Sequence, residues 1–89
     1  MAITYEKALL IDSNDLSLTN LLRHEDHIEG TLCINNDNSD VTASFTRKAD
    51  DYDLNIHIDG IYAMAFDEDF ISLVNNEGCW NFAAESVVL

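Results

Sequence analysis

Proline is absent from this chain, glycine occurs three times, and Lys and Arg together occur four times against 17 Asp and Glu. With no Pro, no Gly/Ser linker, no internal repeat and no low-complexity tract, nothing marks a domain boundary, so residues 1–89 read as one domain. Three scattered glycines leave no Gly-rich phosphate loop. A net charge of -13 argues against direct binding to nucleic acid or to an anionic membrane, because phosphates would meet carboxylates instead of Lys and Arg. The longest uninterrupted apolar run is "IYAMAF", far short of the about 20 residues that span a bilayer as a helix. The opening "MAITYEKALLID" has no basic leader followed by a long apolar region, which points to the cytoplasm. In that compartment the two cysteines, Cys33 and Cys79, read as reduced thiols.

A chain of this length buries roughly 60 to 65% of its unfolded surface and folds without metal or disulfide staples. Hydrophobic residues make up 47% of it, with four Phe, three Tyr and one Trp to build a core. That content separates it from chains kept disordered by charge. The charged fraction, 24%, is ordinary, so the anomaly is one of sign. From residue 49 onward there are nine acids and no Lys or Arg.

Along the chain, "TYEKALLID" has helix formers behind a Thr that would cap. "SNDLSLTNLLRHEDH" then places Leu18, Leu21 and Leu22 at helical spacing after capping candidates. One helix, or two short ones, is expected before residue 27. After that the period becomes two. Ile28, Gly30, Leu32 and Ile34 alternate with polar residues, "NNDNSD" turns the chain, and Val41, Ala43 and Phe45 continue the alternation. "ADD" turns it again into "YDLNIHIDG", with Leu54, Ile56 and Ile58 on one face and Asp53, Asn55, His57 and Asp59 on the other.

Asp59-Gly60 is a hairpin signal; a two-residue turn would pair Ile58 with Ile61 and set Tyr62, Met64 and Phe66 on the polar side. "DEDFISLV" starts either a helix or another strand leading through "NNEG" to "CWNFAAESVVL". The expected fold is α+β: an N-terminal helix, or two short helices, packed on an antiparallel sheet of three to five strands, with a mixed C-terminal segment.

The candidate chemical sites fail on spacing. An EF-hand loop begun at Asp51 puts Ile56 where Gly must stand, and one begun at Asn35 puts Asp40 there and Thr46 at the twelfth position. His24, His27 and Cys33 lie close together, but no second pair of zinc ligands accompanies the distant Cys79. Nothing in the spacing of Cys33, His57 and the acids singles out a nucleophile with its base. The expectation is a non-enzyme with no catalytic residue, no metal and no cofactor.

What is left is the acidic surface. Many acids fall in turns, where Asp is a standard choice, but turn chemistry does not explain the near absence of Lys and Arg from outward strand positions. Outward side chains on a strand recur every 6.6 to 6.8 Å or so, comparable with successive phosphates of a nucleic-acid strand. The candidate partner-binding surface is Asp50, Asp51, Asp53, Asn55, Asp59, Asp67, Glu68 and Asp69, with a secondary acidic cluster of Glu25, Asp26 and Glu29. The expected partner is a basic protein.

In size, acidity and lack of a catalytic motif the chain resembles small phage-encoded nucleic-acid-mimic inhibitors, anti-restriction and anti-CRISPR proteins among them. The resemblance implies an inhibitor that occupies the basic channel of a nuclease or other nucleic-acid-binding machine inside a bacterial host. An immunity protein that neutralises a basic toxin nuclease would share these features. So would a general acidic interaction module, anchored by Tyr52, Tyr62 or Trp80.

Overall fold

The structure is a computed structural model that describes residues 2–25, 27–37, 39–48, 53–67 and 69–84, with Lys48 and Asp53 described in their backbone alone. Seven strands and one helix follow one another: β1 (Ala2–Ser13), α1 (Leu16–Leu22), β2 (Ile28–Asp37), β3 (Asp40–Lys48), β4 (Asp53–Ile58), β5 (Ala63–Asp67), β6 (Phe70–Asn75) and β7 (Gly78–Ala84). All seven form one antiparallel sheet in the order β4-β3-β2-β1-β7-β6-β5. The α+β expectation is therefore wrong. Among the described residues the protein is nearly all sheet, with a single short helix.

The error over residues 4–12 has a physical cause. A register shift between Tyr5 and Ala8 changes which side chains face inward. Tyr5 lies opposite core residue Leu32, and after the shift Ala8 and Leu10 are fully buried. Core positions 5, 8 and 10 lose the strict period of two, and helix-forming Glu, Lys, Ala and Leu complete the disguise. Position in the sheet then overrides propensity, because β1 is central and hydrogen-bonded to β2 on one edge and β7 on the other.

The second candidate helix is real as α1. Its N-cap Asp15 accepts hydrogen bonds from the Ser17 backbone N–H at 3.1 Å and the Ser17 hydroxyl at 2.8 Å. Leu18 is buried, and Leu21 and Leu22 pack against the core.

The β2–β3–β4 meander follows the alternation read from the sequence. Ala43, Phe45 and Arg47 stand opposite Ile58, Ile56 and Leu54 on the inner face, and Ser44 and Thr46 stand opposite His57 and Asn55 on the outer. Beyond it, the expected Asp-Gly hairpin does not form. Gly60 adopts φ +63°, and residues 59–62 carry the chain from one side of the sheet to the other. Where the sequence admits helix or strand, the described residues 63–67 and 70–84 form strands and a tight turn: Asp67 pairs with Phe70 and Asn75 with Gly78 to close two hairpins, and residues 85–89 lie outside the described residues.

Arithmetic shows that the sheet is rolled. Laid flat, β4 and β5 would be six strand spacings apart, about 29 Å. The chain from Ile58 to Ala63 reaches at most about 18 Å. In an alternating antiparallel sheet the first and seventh strands run the same way, so residues 53–67 act as one interrupted strand. Its first part pairs with β3 and its last part with β6. At the crossing, Ile61 donates its N–H to the Val41 carbonyl at 3.1 Å and Tyr62 donates to that of Val74 at 3.0 Å.

The core fills the interior of the roll. Phe45 of β3 and Phe82 of β7 stand three strands apart in the sheet, yet their ring centroids are 5.2 Å apart. Gly30 lies beneath Phe45: a Cβ there would meet the Thr46 carbonyl oxygen at 2.5 Å and Phe45 Cζ at 2.8 Å.

Candidate functional site

The crossing segment carries Asp59 and joins the two strands that carry Asn55 and Asp67 of the candidate surface. Asn75 is buried at the end of β6 and holds this segment in place. Its Oδ1 accepts from the backbone N–H groups of Glu77 at 2.8 Å and Gly78 at 3.0 Å, while its Nδ2 donates to the Asp59 carbonyl at 2.7 Å. One side chain thus ties the β6–β7 turn to the start of the crossing. Around it, His57, Asp59, Gly60, Asn76 and Glu77 line a shallow surface depression. His57 Nε2 lies 2.9 Å from Asp59 Oδ1, with both side chains exposed.

The candidate acids fall into separate groups. Asn55 and His57 lie exposed on the outer face, and Asp59 follows the end of β4. From Asp53 to Asp59 an extended strand covers about 20 Å, and from Asp59 to Asp67 up to about 26 Å. Asp67 and Asp69 stand at the far end, by the β5–β6 hairpin. Asp69 accepts the Ala84 N–H on its backbone carbonyl at 2.8 Å. The sequence alone does not bring Glu77 into this set, since 18 positions separate it from Asp59. Asp50, Asp51 and Glu68 lie outside the described residues.

The secondary cluster is largely compensated. Glu25 holds Arg47 in a two-pronged pair, with Nη1 to Oε2 at 2.8 Å and Nη2 to Oε1 at 3.1 Å. Glu29 lies 3.4 Å from Lys7 Nζ, both well exposed. Asp26 is outside the described residues. Two of the chain's four cations therefore face carboxylates of this cluster, while the acids from residue 50 onward have no Lys or Arg in the same stretch of sequence.

Between Asp59 and Asp67 the surface is apolar. Tyr62 is 66% exposed, Met64 36% and Phe66 51%. Directly opposed residues of an antiparallel pair share a face. Met64 pairs with buried Leu73 and Phe66 with buried Ile71, so both belong to the core face of the sheet and not to the polar side. They remain exposed because β5 is an edge strand, and all five of its residues are exposed. The sequence signal was the charge-free "IYAMAF" between acids, and its meaning depended on knowing which strand formed the edge.

Of the aromatic anchors, Tyr62 is available at the surface. Trp80 is 4% exposed and belongs to the core, and Tyr52 is outside the described residues.

The chain matches no protein-family model, no curated protein and no solved structure. Among the described residues, no cluster of His, Cys, Asp or Glu is arranged to hold a metal ion, and no helix is long and apolar enough to cross a membrane. Cys33 and Cys79 are free thiols, and Cys33 Sγ accepts a 3.5 Å hydrogen bond from Thr4.

Proposed function

We propose that this protein is a non-enzymatic inhibitor that binds the basic nucleic-acid-binding surface of a nuclease or related protein in the bacterial cytoplasm, by mimicry of DNA or RNA. The supporting observation is a large excess of one sign of charge. The net charge is -13, and Lys7 and Arg47 face Glu29 and Glu25, so they do little to offset the acids of residues 53–77. A field of this kind steers a basic partner into encounter and weakens as salt rises. The resemblance to anti-restriction and anti-CRISPR inhibitors rests on the same bulk character.

The spacing of the acids refines the reading. Asp59 and Asp67, separated by the apolar Tyr62, Met64 and Phe66, do not reproduce a continuous run of phosphates. They suit attraction at several points on a groove wall, with other contacts between them.

The exposed Tyr62, Met64 and Phe66 favour a second reading, an acidic interaction module in which apolar contact dominates and charge is secondary. Immunity to a basic toxin nuclease differs from the first reading mainly in its partner.

The test is capture from bacterial lysate with the protein as bait, washed at low and high salt, with nuclease-treated controls. Mimicry expects one nucleic-acid-binding enzyme, displaced by added DNA or RNA and lost with Asp59→Lys and Asp67→Lys together. A partner that survives high salt and ignores nucleic acid would overturn mimicry in favour of the module.

A further inference from the structure

β5 combines three properties. It is the terminal strand of the sheet, so among the described residues one of its backbone edges has no neighbouring strand in the hydrogen-bonded order. Every residue from Ala63 to Asp67 is exposed. Its core-face side chains, Met64 and Phe66, continue the inner rows begun by Leu73 and Ile71 but are not covered. Natural sheets commonly protect such an edge with Lys, Pro or a covering loop. Here there is no Pro, and no Lys or Arg from residue 49 onward.

The rolled geometry explains why the chain itself leaves this edge open. The crossing joins the beginning of β3, at Val41, to the end of β6, at Val74. The roll therefore closes with a stagger. β5 returns along β6 from that point, past the place where β3 begins, and so has no second ladder partner among the described residues.

Charge identifies the occupant. The stripe Tyr62, Met64 and Phe66 has Asp59 at one end and Asp67 and Asp69 at the other, all exposed. A second copy would bring another -13 against the first. A strand with alternating apolar side chains and flanking Lys or Arg would gain backbone hydrogen bonds, cover Met64 and Phe66, and meet carboxylates at both ends.

We infer that the free edge of β5 is a docking site for an extended, Lys/Arg-flanked strand of a basic protein, added to the sheet beside Met64 and Phe66. This inference rests on the basic-partner reading above and assigns it a place. Acids bring the partner in, and the apolar edge holds it.

The experiment uses the full chain and a synthetic peptide of about nine residues alternating Lys and Val, long enough to span β5. Binding is followed at low salt by NMR titration and amide hydrogen exchange. An oligo-Lys peptide of equal charge and a Glu/Val peptide are the controls. Two variants have the same net charge: Phe66→Lys at the edge, and Leu16→Lys on the helix, where Leu16 is 82% exposed.

The expected result is that the Lys/Val peptide protects amides of residues 63–67. Phe66→Lys weakens it by about tenfold, while Leu16→Lys changes it by less than about twofold. Equal losses in the two variants, or protection confined to β4, would overturn the docking site and leave the basic-partner reading standing. Failure of both cationic peptides to bind would overturn both. Equal binding of the Glu/Val peptide, or self-association of the free chain through β5, would overturn the assignment of a basic occupant.

Discussion

Replacing Asn75 by Ala removes three hydrogen bonds from one buried side chain: two from the Glu77 and Gly78 N–H groups and one to the Asp59 carbonyl. A hydrogen bond contributes about 0.5 to 1.5 kcal/mol net, and more is lost when a buried partner is left unsatisfied. Asp59 and Glu77 are exposed, so the released groups can turn toward water and the loss stays near the lower end. The expected destabilisation is about 2 to 3 kcal/mol. With a urea slope of about 1 kcal/mol/M for a small domain, the unfolding midpoint falls by about 2 to 3 M. Asn75→Asp keeps the acceptor for the turn but loses the donor to Asp59, and it should cost about 1 kcal/mol plus the repulsion between the new carboxylate oxygen and the Asp59 carbonyl oxygen. Hydrogen exchange supplies the second readout: in Asn75→Ala the amides of Ile61 and Tyr62 should exchange faster relative to those of Leu32 and Phe45. A midpoint within about 0.5 M of the parent, or a loss that leaves those two amides unchanged relative to the core, would refute the role of Asn75 in closing the roll.

Gly30→Ala should cost about 2 to 3 kcal/mol, seen as a lower melting temperature, because its Cβ would meet a backbone carbonyl of the adjacent strand; an unchanged melt would show that β2 and β3 separate easily. Glu25→Gln should cost about 1 kcal/mol, since Arg47 is held in two-pronged geometry and is only 19% exposed, whereas Glu29→Gln should change stability by a few tenths because its pair with Lys7 is open to solvent. Equal effects in urea titrations of the two would contradict that ranking. Melting temperature should rise with NaCl and level off as the screening length approaches about 3 Å near 1 M, because -13 is self-repulsive. A salt-independent melt would mean that the acids are too far apart to strain the fold.

The middle of the molecule was legible because the period of two survives there intact. Leu32, Phe45 and Ile58 are all inward and buried as the alternation indicates. β1 was misread because its register shift spaces Tyr5, Ala8 and Leu10 unevenly. Asp59-Gly60 signalled a hairpin that does not form: Gly60 does adopt left-handed backbone, but that local preference serves a tight hairpin and a crossing equally well. Only the distant partners Val41 and Val74 decide between them. The acids of the candidate surface were visible as charges, while their grouping, and the capture of Glu25 by Arg47, depended on contacts remote in sequence. The exposure of Phe66 was hidden for the same reason: an apolar residue on a core face is ordinarily covered, and the order of strands puts this one at the edge.

The central place of β1 also imposes an order in time. During synthesis, β1 to β4 are complete once Ile58 has been made, and each pairs with a neighbour close in sequence. The other edge of β1 must wait for Gly78–Ala84, so the emerging chain carries an unfilled slot until the 26 residues from Asp59 to Ala84 have been added. At about 5 to 20 residues per second that is an interval of seconds, much longer than a hairpin takes to form. The half-made sheet is therefore open to pairing with the wrong strand, and residues 1–58, with eleven acids against four Lys and Arg, oppose it only through the mutual repulsion of nascent copies that are each net negative.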